Sequence, residues 1–248
     1  MSSSSETSSA LWSHEEFTNR LRNTGVNRYH SLHPFHLQMN AGKLTRRQLQ
    51  GWVANRFYYQ KNIPIKDAAI ISNCPVREVR RIWLHRISDH DGLHEGQGGI
   101  EAWLKLAEAC GLTREEVLQE KHVLPGVRFA VDAYVTLARK EPWPVAVASS
   151  LTELFAPDLM AQRLAAFPQY YPWVPEWGLA YFKDRVTRAK SDSQEGLKIT
   201  LEFCNTRELQ EAAVRALGTK CDILWAMLDA MAVAYGVDFE KGAGHERK

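Results

Sequence analysis

Residues 46–73 read RRQLQGWVANRFYYQKNIPIKDAAIISN, and they indicate the fold class more clearly than any other part of the chain. Thr45 and Gln48 have the spacing of a capping box, which opens an α-helix. After them, one face advances by three or four residues at a time, as an α-helix does. That face consists of Trp52, Arg56, Tyr59, Ile63, Lys66 and Ile70. The stretch therefore predicts a long buried helix that carries two cations among core residues.

Two further predicted helices also place charged side chains in apolar rows. In residues 76–90, a stripe that includes Trp83 continues into Arg86 and His90, and near the C-terminus Lys220 heads a row of Ile, Leu and Met. A buried charge without a partner is costly, so such a residue is paired or lines a polar cavity. One Arg or Lys near a helix end usually extends to solvent or forms a structural ion pair. Several on separate helices predict one cationic cavity suited to an anionic small molecule.

The remaining pattern predicts an all-α protein, because strand signals are almost absent and proline or glycine separates successive helical segments. We predict a single all-α catalytic domain over residues 13–240, with a disordered tail at 1–12 and a flexible tail at 241–248. The predicted helices cover residues 14–24, 34–40, 46–73 with a bend at Pro64, 76–90, 99–110, 113–119, 126–139, 145–156, 158–167, 175–189, 192–217 and 219–235.

Composition narrows the classes of function. The 248 residues carry a net charge of +2 with scattered cations, which argues against a nucleic-acid-binding protein. No apolar run approaches the length of a membrane span. The cysteines lie far apart without a C-x-x-C pair, which favours reduced thiols and a cytoplasmic location.

Signatures of common cofactors are missing. No Glu precedes a His by three residues, which argues against a di-iron bundle. His90 and His94 are separated by Gly92, and Pro34 interrupts the triplet His30, His33 and His36, so capping or packing is the favoured interpretation of these histidines. No dinucleotide loop, P-loop or G-x-S-x-G elbow occurs. Known cofactor signatures are therefore missing, while a polar interior is indicated.

Several blocks of sequence carry a resemblance to a known family. They are residues 51–60, 63–69, 89–92, 122–134, 149–157 and 221–231. Together they resemble the pyrroloquinoline-quinone (PQQ) synthase family of the haem-oxygenase-like, TenA-like superfamily, over about residues 12–235. The resemblance implies a compact seven-helix bundle that forms a homodimer and uses no cofactor. It also implies the last step of PQQ formation. In that step a tricarboxylic bicyclic quinone precursor undergoes ring closure and is oxidised by O2, giving PQQ and H2O2.

The resemblance also implies the residues of the pocket. Cations would bind the carboxylates and quinone oxygens, His90 would act as general base, and Tyr181 and Arg185 would lie with it around O2 or peroxide. The cations are Arg56, Lys66, Arg86, Arg163 and Lys220, and the rest of the substrate-binding set is His30, Tyr59, Gln60, Tyr134, Thr152 and Glu153. The tyrosines could equally be core residues, and Glu153 could only pair with Arg163 or cap a neighbour.

The sequence departs from the family pattern at Met160, where the resemblance leads us to expect histidine. Methionine neither shuttles a proton nor donates a hydrogen bond, so complete turnover is less firmly predicted than binding. Two alternatives stay open. One is a thiaminase-like hydrolase with Cys74 or Cys110 as nucleophile, and the other is a non-catalytic carrier of PQQ or its precursor.

Overall fold

The computed structural model describes residues 10–238, with the side chains of 187–192 excepted. All regular structure in this part of the chain is helical, which confirms the all-α prediction. It comprises eleven α-helices rather than seven, because short helices and 3-10 segments occupy several connections. The α-helices are α1 His14–Arg28, α2 Pro34–Asn40, α3 Arg46–Asn73, α4 Arg77–Asp91, α5 Gly98–Ala109, α6 Arg114–Leu118, α7 Pro125–Lys140, α8 Trp143–Ser149, α9 Ala156–Tyr170, α10 Ala180–Phe203 and α11 Arg207–Tyr235.

Helix α3 is the central element of the bundle. Its N-terminus has the predicted capping box, in which Thr45 accepts from the Gln48 backbone and the Gln48 side chain accepts from Thr45. The helix runs through Pro64, and buried residues lie on all of its faces. It packs against α4, α5, α7 and α11. A helix that is covered on every side lies in the interior, so its polar side chains are buried as well.

The turn between α4 and α5 depends on two glycines with left-handed backbone conformations. Gly92 ends α4 with φ of 81° and Gly98 begins α5 with φ of 91°. A Cβ on Gly98 would lie 2.5 Å from the Gly92 nitrogen and 2.6 Å from the His90 oxygen. Position 98 therefore requires glycine, because its φ is positive and because a Cβ there would be too close to the backbone of α4. The turn therefore brings the start of α5 directly against the end of α4, beside His90.

The predicted break at Gly218 is wrong. Gly218 lies inside α11, and the chain breaks instead at residues 204–206, where Thr206 caps the new helix by accepting from the Leu209 backbone. A Cβ on Gly218 would lie 2.5 Å from Nη1 of Arg28. The glycine therefore allows α1 to approach α11 closely, a use of glycine that looks the same in sequence as a helix end.

Two other boundaries differ from the prediction. The segment predicted as one helix over 145–156 divides into α8 and a 3-10 segment at Ser150–Phe155. At the N-terminus, Trp12 is buried, and its backbone nitrogen and oxygen bond the Gln210 side chain. The ordered chain thus begins before residue 13. Residues 1–9 and 239–248, including the predicted tail at 241–248, lie outside the described residues.

Within residues 10–238 the model has no helix that is both long and apolar enough to cross a membrane.

Candidate functional site

The predicted pocket residues come from eight different elements and meet in the interior. Tyr59 and Glu153 are partly buried and the other twelve are buried. Their positions are His30 in the 3-10 segment His30–Leu32, Arg56, Tyr59, Gln60 and Lys66 on α3, Arg86 and His90 on α4, Tyr134 on α7, Thr152 and Glu153 in the segment Ser150–Phe155, Arg163 on α9, Tyr181 and Arg185 on α10, and Lys220 on α11.

Glu153 neutralises two of the arginines. Its Oε1 accepts a hydrogen bond of 2.6 Å from Arg86 Nη2 and lies 3.8 Å from Arg185 Nη2. Burial alone would raise the pKa of this carboxyl, but the charges of Arg86 and Arg185 lower it to about 2. Glu153 is therefore an anion at neutral pH. The expectation that it pairs with Arg163 is wrong, because its partners are on α4 and α10.

Lys66 is also paired inside the protein. Its Nζ lies 2.5 Å from Asp67 Oδ1 and donates a 2.9 Å hydrogen bond to Ser150 Oγ. The same hydroxyl lies 3.4 Å from the Tyr134 hydroxyl. We call Lys66, Asp67, Arg86, Glu153 and Arg185 the paired cluster. In this cluster each cation already has a carboxylate within 4 Å.

Asp67 and Ser150 were not predicted as site residues. Consecutive residues do not face each other along a helix, so the spacing of Lys66 and Asp67 gave no signal. Ser150 stood in a segment that was predicted as ordinary helix. The one available signal was general: a lysine in an apolar row needs a counter-charge somewhere.

Three other cations form no ion pair with the residues that the structure describes, and we call Arg56, Arg163 and Lys220 the unpaired cluster. Lys220 Nζ lies 3.3 Å from the ring centroid of Tyr134 and 4.2 Å from that of Tyr59. The two rings are nearly parallel, at 7° and 6.3 Å. Lys220 Nζ has no hydrogen-bond partner within residues 10–238. Aromatic faces stabilise such a cation partly, and three donors remain for a ligand.

Arg56 and Arg163 are held in the same manner. Arg56 Cζ lies 4.2 Å from the Tyr59 centroid, and Arg163 Cζ lies 4.9 Å from the Trp52 ring. Neither Nε has a hydrogen-bond partner in the described part of the chain. Burial, followed by the charge of Arg56, lowers the pKa of Arg163 to about 9. The guanidinium groups are therefore fixed in place while much of their charge is uncompensated.

His36 holds Arg163 from the other side, and the sequence did not identify it as a site residue. Arg163 Nη2 donates to His36 Nε2 at 3.0 Å, while His36 Nδ1 lies 2.9 Å from the His30 carbonyl oxygen. Since that oxygen only accepts, Nδ1 carries the proton and the ring is neutral. Met160, the departure from the family pattern, is buried with its Sδ 3.8 Å from Arg163 Nη1.

Positive charges in and around the unpaired cluster disfavour one another, which lowers the pKa values of several of its groups and neighbours. Burial, followed by the charges of Arg56 and Lys66, lowers the pKa of Lys220 well below its ordinary value. Burial and neighbouring groups likewise lower the pKa of His30 and of His36. An anionic ligand would reverse these effects, because an opposite charge favours the protonated form of each group. The arrangement therefore has the charge expected of an anion-binding site.

His90, Tyr181 and Arg185 line one small cavity of about 70 Å³. His90 Nδ1 lies 3.2 Å from the Arg86 carbonyl oxygen, so Nδ1 carries the proton, and Nε2 has no partner among the described residues. Burial, followed by the charge of Arg185, lowers the pKa of His90 to about 4. The imidazole is therefore uncharged at neutral pH. Tyr181 donates a 3.0 Å hydrogen bond to Gln60 Oε1.

His33 and His94 lie outside the candidate site and have different surroundings. His33 caps α2 by accepting from the Phe35 backbone and contacts Asp229 through Nε2 at 3.1 Å. His94 is exposed whereas His90 is buried. Among residues 10–238, no three His, Cys, Asp or Glu side chains are grouped as the ligands of a metal ion would be.

The cysteines are poorly suited to nucleophilic catalysis. All four are buried free thiols. Burial raises the pKa of Cys110 and of Cys204 to about 12 and that of Cys221 to about 11, and it raises the pKa of Cys74 as well. Because the thiolate is the reactive form, this arrangement disfavours the thiaminase-like alternative.

The fold places the protein in the haem-oxygenase-like class. A TenA homologue from Pseudomonas syringae pv. tomato superposes with a TM-score of 0.71 at 14% identity, over 90% of this chain and 97% of that one. A Shewanella denitrificans domain with a heme oxygenase-like fold gives 0.74 at 16% identity, over 94% and 97% of the two chains. At these identities the likeness concerns the fold alone.

Sequence comparison gives the family. The model of the TENA/THI-4/PQQC family matches residues 18–230. The pyrroloquinoline-quinone synthase of Pseudomonas aeruginosa is 56% identical over 231 residues, 93% of this chain and 92% of that protein. That of Cronobacter sakazakii is 55% identical over 232 residues, 94% and 92% of the two chains. The chain therefore belongs to the TENA/THI-4/PQQC family, which confirms the resemblance found in the sequence.

Proposed function

We propose that this protein acts in PQQ biosynthesis and catalyses its final step. In that step a tricarboxylic bicyclic quinone precursor undergoes ring closure and an eight-electron oxidation by O2, giving PQQ and H2O2. The proposal draws on the names of relatives at 55–56% identity. The observation that carries it is the unpaired cluster, in which three buried cations face the interior without a carboxylate partner in the described chain.

A tricarboxylate matches this cluster in charge. Arg56, Arg163 and Lys220 would each gain the anionic partner that the described protein does not supply, and charge-assisted hydrogen bonds are about twice as strong as neutral ones. Binding would also remove the mutual repulsion of the three cations. The stacked rings of Tyr59 and Tyr134 add a flat aromatic surface beside Lys220, which suits a planar quinone.

His90 is the proposed general base. Its free Nε2 and its pKa of about 4 keep the ring neutral and able to accept a proton at neutral pH. The same low pKa makes it a weak base in the empty protein. A bound polyanion would raise that pKa, because it stabilises the imidazolium. Proton abstraction is therefore coupled to occupancy of the anion site, and the base gains strength when the substrate is present.

Dioxygen would react beside His90, on the side where Tyr181 and Arg185 lie. His90 would remove a carbon-bound proton, and the resulting substrate anion would transfer electrons to O2 one at a time. Each O2 that leaves as H2O2 takes up two electrons and two protons. The Arg185 guanidinium would stabilise the negative charge that develops on oxygen. We propose that the substrate supplies the reducing power and that no resident metal or organic cofactor takes part.

The test combines binding and oxygen uptake in the purified protein. His90→Ala should bind PQQ, seen as a shift of its absorption spectrum, with affinity near that of the wild type, because the carboxylate-binding cations are retained. It should lose most oxygen uptake with the precursor, by about 10²- to 10⁴-fold. His85→Ala is the matched control, since His85 is on the same helix and its side chain is 73% exposed. Normal oxygen uptake by His90→Ala would refute the assignment.

A carrier of PQQ or its precursor is the second candidate, and Met160 is the observation that favours it. This buried thioether lies against Arg163 where the family pattern has histidine. A carrier would shift the ligand spectrum without consuming O2 or making H2O2. Met160→His separates the two functions, because only an enzyme would change its rate of peroxide formation.

The family resemblance further leads us to propose a homodimer located in the cytoplasm. Sedimentation equilibrium of the purified chain tests the first prediction. Metal analysis of the same active sample tests the absence of a resident metal.

A further inference from the structure

The small cavity beside His90 is lined by both buried and exposed residues. His90, Tyr181 and Arg185 are 4%, 5% and 8% exposed. Asp184 in the same lining is exposed. The cavity therefore lies between the buried trio and the surface, among α4, α5 and α10.

The cavity is too small for the organic substrate. Sites for ligands of that size are usually about 300–1,000 Å³, whereas this cavity is about 70 Å³. Such a volume holds about two molecules of the size of water. Its size therefore selects a small molecule such as O2 or H2O2.

One wall of the cavity is open only because its residues are small. Gly99 and Ala102 lie three positions apart on α5, so they share the face that lines the cavity. A Cβ on Gly99 would lie 3.5 Å from Cδ2 of His90, the ring carbon next to the free Nε2. That is an ordinary contact, so alanine fits. The extra carbons of valine would extend into the space beside the imidazole.

We infer that this cavity is the entry route for dioxygen to His90, separate from the unpaired cluster that is proposed to bind the organic anion, and that Gly99 and Ala102 set its width. The inference rests on the proposed oxidase function. It assigns the two substrates to different sites. The polyanion is held by the unpaired cluster, and the neutral gas arrives between α5 and α10. Neither substrate has to leave for the other to enter.

The experiment measures the two Michaelis constants separately. Oxygen uptake by the full-length protein is recorded at varied dissolved O2 with saturating precursor, and at varied precursor in oxygen-saturated buffer. Gly99→Val should raise the KM for O2 by about tenfold or more, with the KM for precursor within about twofold of wild type. Gly99→Ala should give a smaller increase. Ala102→Val narrows the same wall one turn later and should act in the same direction.

Lys105→Val is the matched control, because it places the same β-branched side chain on the exposed face of α5. It should leave both Michaelis constants unchanged. Circular dichroism and binding of PQQ establish that each variant is folded. If Gly99→Val fails to fold, Ala102→Val and Gly99→Ala decide the question.

Two results would overturn the inference while leaving the oxidase function intact. One is an unchanged KM for O2 in folded Gly99→Val and Ala102→Val. The other is an equal rise in both Michaelis constants, which would place the organic substrate in this cavity. A wild-type protein that takes up no oxygen with precursor would instead refute the proposed function, and the inference with it.

Discussion

The paired cluster and the unpaired cluster lie side by side and treat buried cations in opposite ways. In the first, carboxylates lie 2.5 Å from Lys66 and 2.6 Å from Arg86. In the second, Lys220 lies 3.3 Å above the Tyr134 ring and makes no ion pair with the described residues. Tyr134 touches both, because it also approaches Ser150, which accepts from Lys66.

We propose that the paired charges maintain the fold and that the unpaired charges bind a ligand. A paired buried cation is satisfied in the empty protein, and removal of its partner leaves an uncompensated charge. An unpaired one destabilises the empty protein and becomes favourable only when an anion arrives. The sequence assigned Lys66, Arg86, Arg56, Arg163 and Lys220 to one role. Their contacts divide that set into two parts, and substitutions in the two parts should have different effects.

The largest expected effect is on the paired cluster. Glu153→Gln removes the negative charge that lies beside both buried guanidinium groups, those of Arg86 and Arg185. We expect the free energy of unfolding to fall by about 3–5 kcal/mol, measured by urea denaturation at pH 7.5. Such a loss is a large part of the stability of an ordinary domain.

Glu16→Gln is the control for that substitution. Glu16 pairs with Arg20 on α1, where both side chains are 48% exposed, and such a pair contributes about 0.3–0.5 kcal/mol. If Glu153→Gln were no more destabilising than Glu16→Gln, the paired cluster would have no structural role. The distinction between the two clusters would then disappear.

The second prediction concerns pH. His90 has a pKa of about 4 in the folded protein against 6.5 for an ordinary histidine, so between these values the unfolded chain binds more protons. The contribution of His90 to stability should therefore be constant above pH 6.5 and should fall by about 3 kcal/mol as the pH is lowered toward 4. His30 and His36 act in the same direction.

Urea midpoints measured from pH 7.5 to pH 4.5 test this dependence. His90→Gln removes one of the buried imidazoles and should make the profile shallower, whereas His85→Gln, on the exposed face of α4, should leave it unchanged. The contribution of Glu153 is distinguishable, because its pKa is lowered from 4.5 to about 2 and its stabilising effect is lost only below pH 4.5. A flat profile above pH 4.5 would mean that the imidazoles are accessible to solvent.

The sequence predicted the cations of this interior better than it predicted their partners. A helical period is a local property, so the rows that contain Arg56, Lys66, Arg86 and Lys220 could be read directly. The pairing of Arg86 with Glu153 joins positions 67 residues apart, and no local rule gives it. His36, which fixes Arg163, resembled a packing histidine because its role depends on α9 lying beside α2.

The all-α fold was predicted correctly, and one helix boundary was mispredicted for a related reason. The helical period identified α3, α4 and α7 within one or two residues, because each has a clear start and end in its own sequence. Glycine is a residue that often ends a helix, but Gly218 lies inside α11 and allows Arg28 of α1 to approach closely. Glycine permits both, and only the neighbouring helix distinguishes them. The elements were therefore predictable where the cause was local and unpredictable where it was tertiary.

The smallest expected effect is on the unpaired cluster, and it should appear in binding rather than in stability. Lys220→Met removes an amine whose protonated form is repelled by Arg56 and Lys66, and it fills the same space with an apolar chain. The free energy of unfolding should stay the same or rise. Affinity for PQQ should fall by about 1.5–3 kcal/mol, or about 10- to 150-fold, the value of a hydrogen bond to a charged group.

Spectral titration of Lys220→Met with PQQ, beside Lys198→Met on the exposed face of α10, checks this result. The protonation of Lys220 on binding gives a sharper test. The pKa of Lys220 is lowered in the empty protein and an anion raises it, so binding by the wild type should take up protons from the buffer. That uptake is measured by calorimetry in buffers of different ionisation enthalpy, and it should diminish in Lys220→Met. Equal uptake in both proteins would place the titrating group elsewhere, and a destabilised Lys220→Met would mean that Lys220 belongs with the cations that maintain the fold.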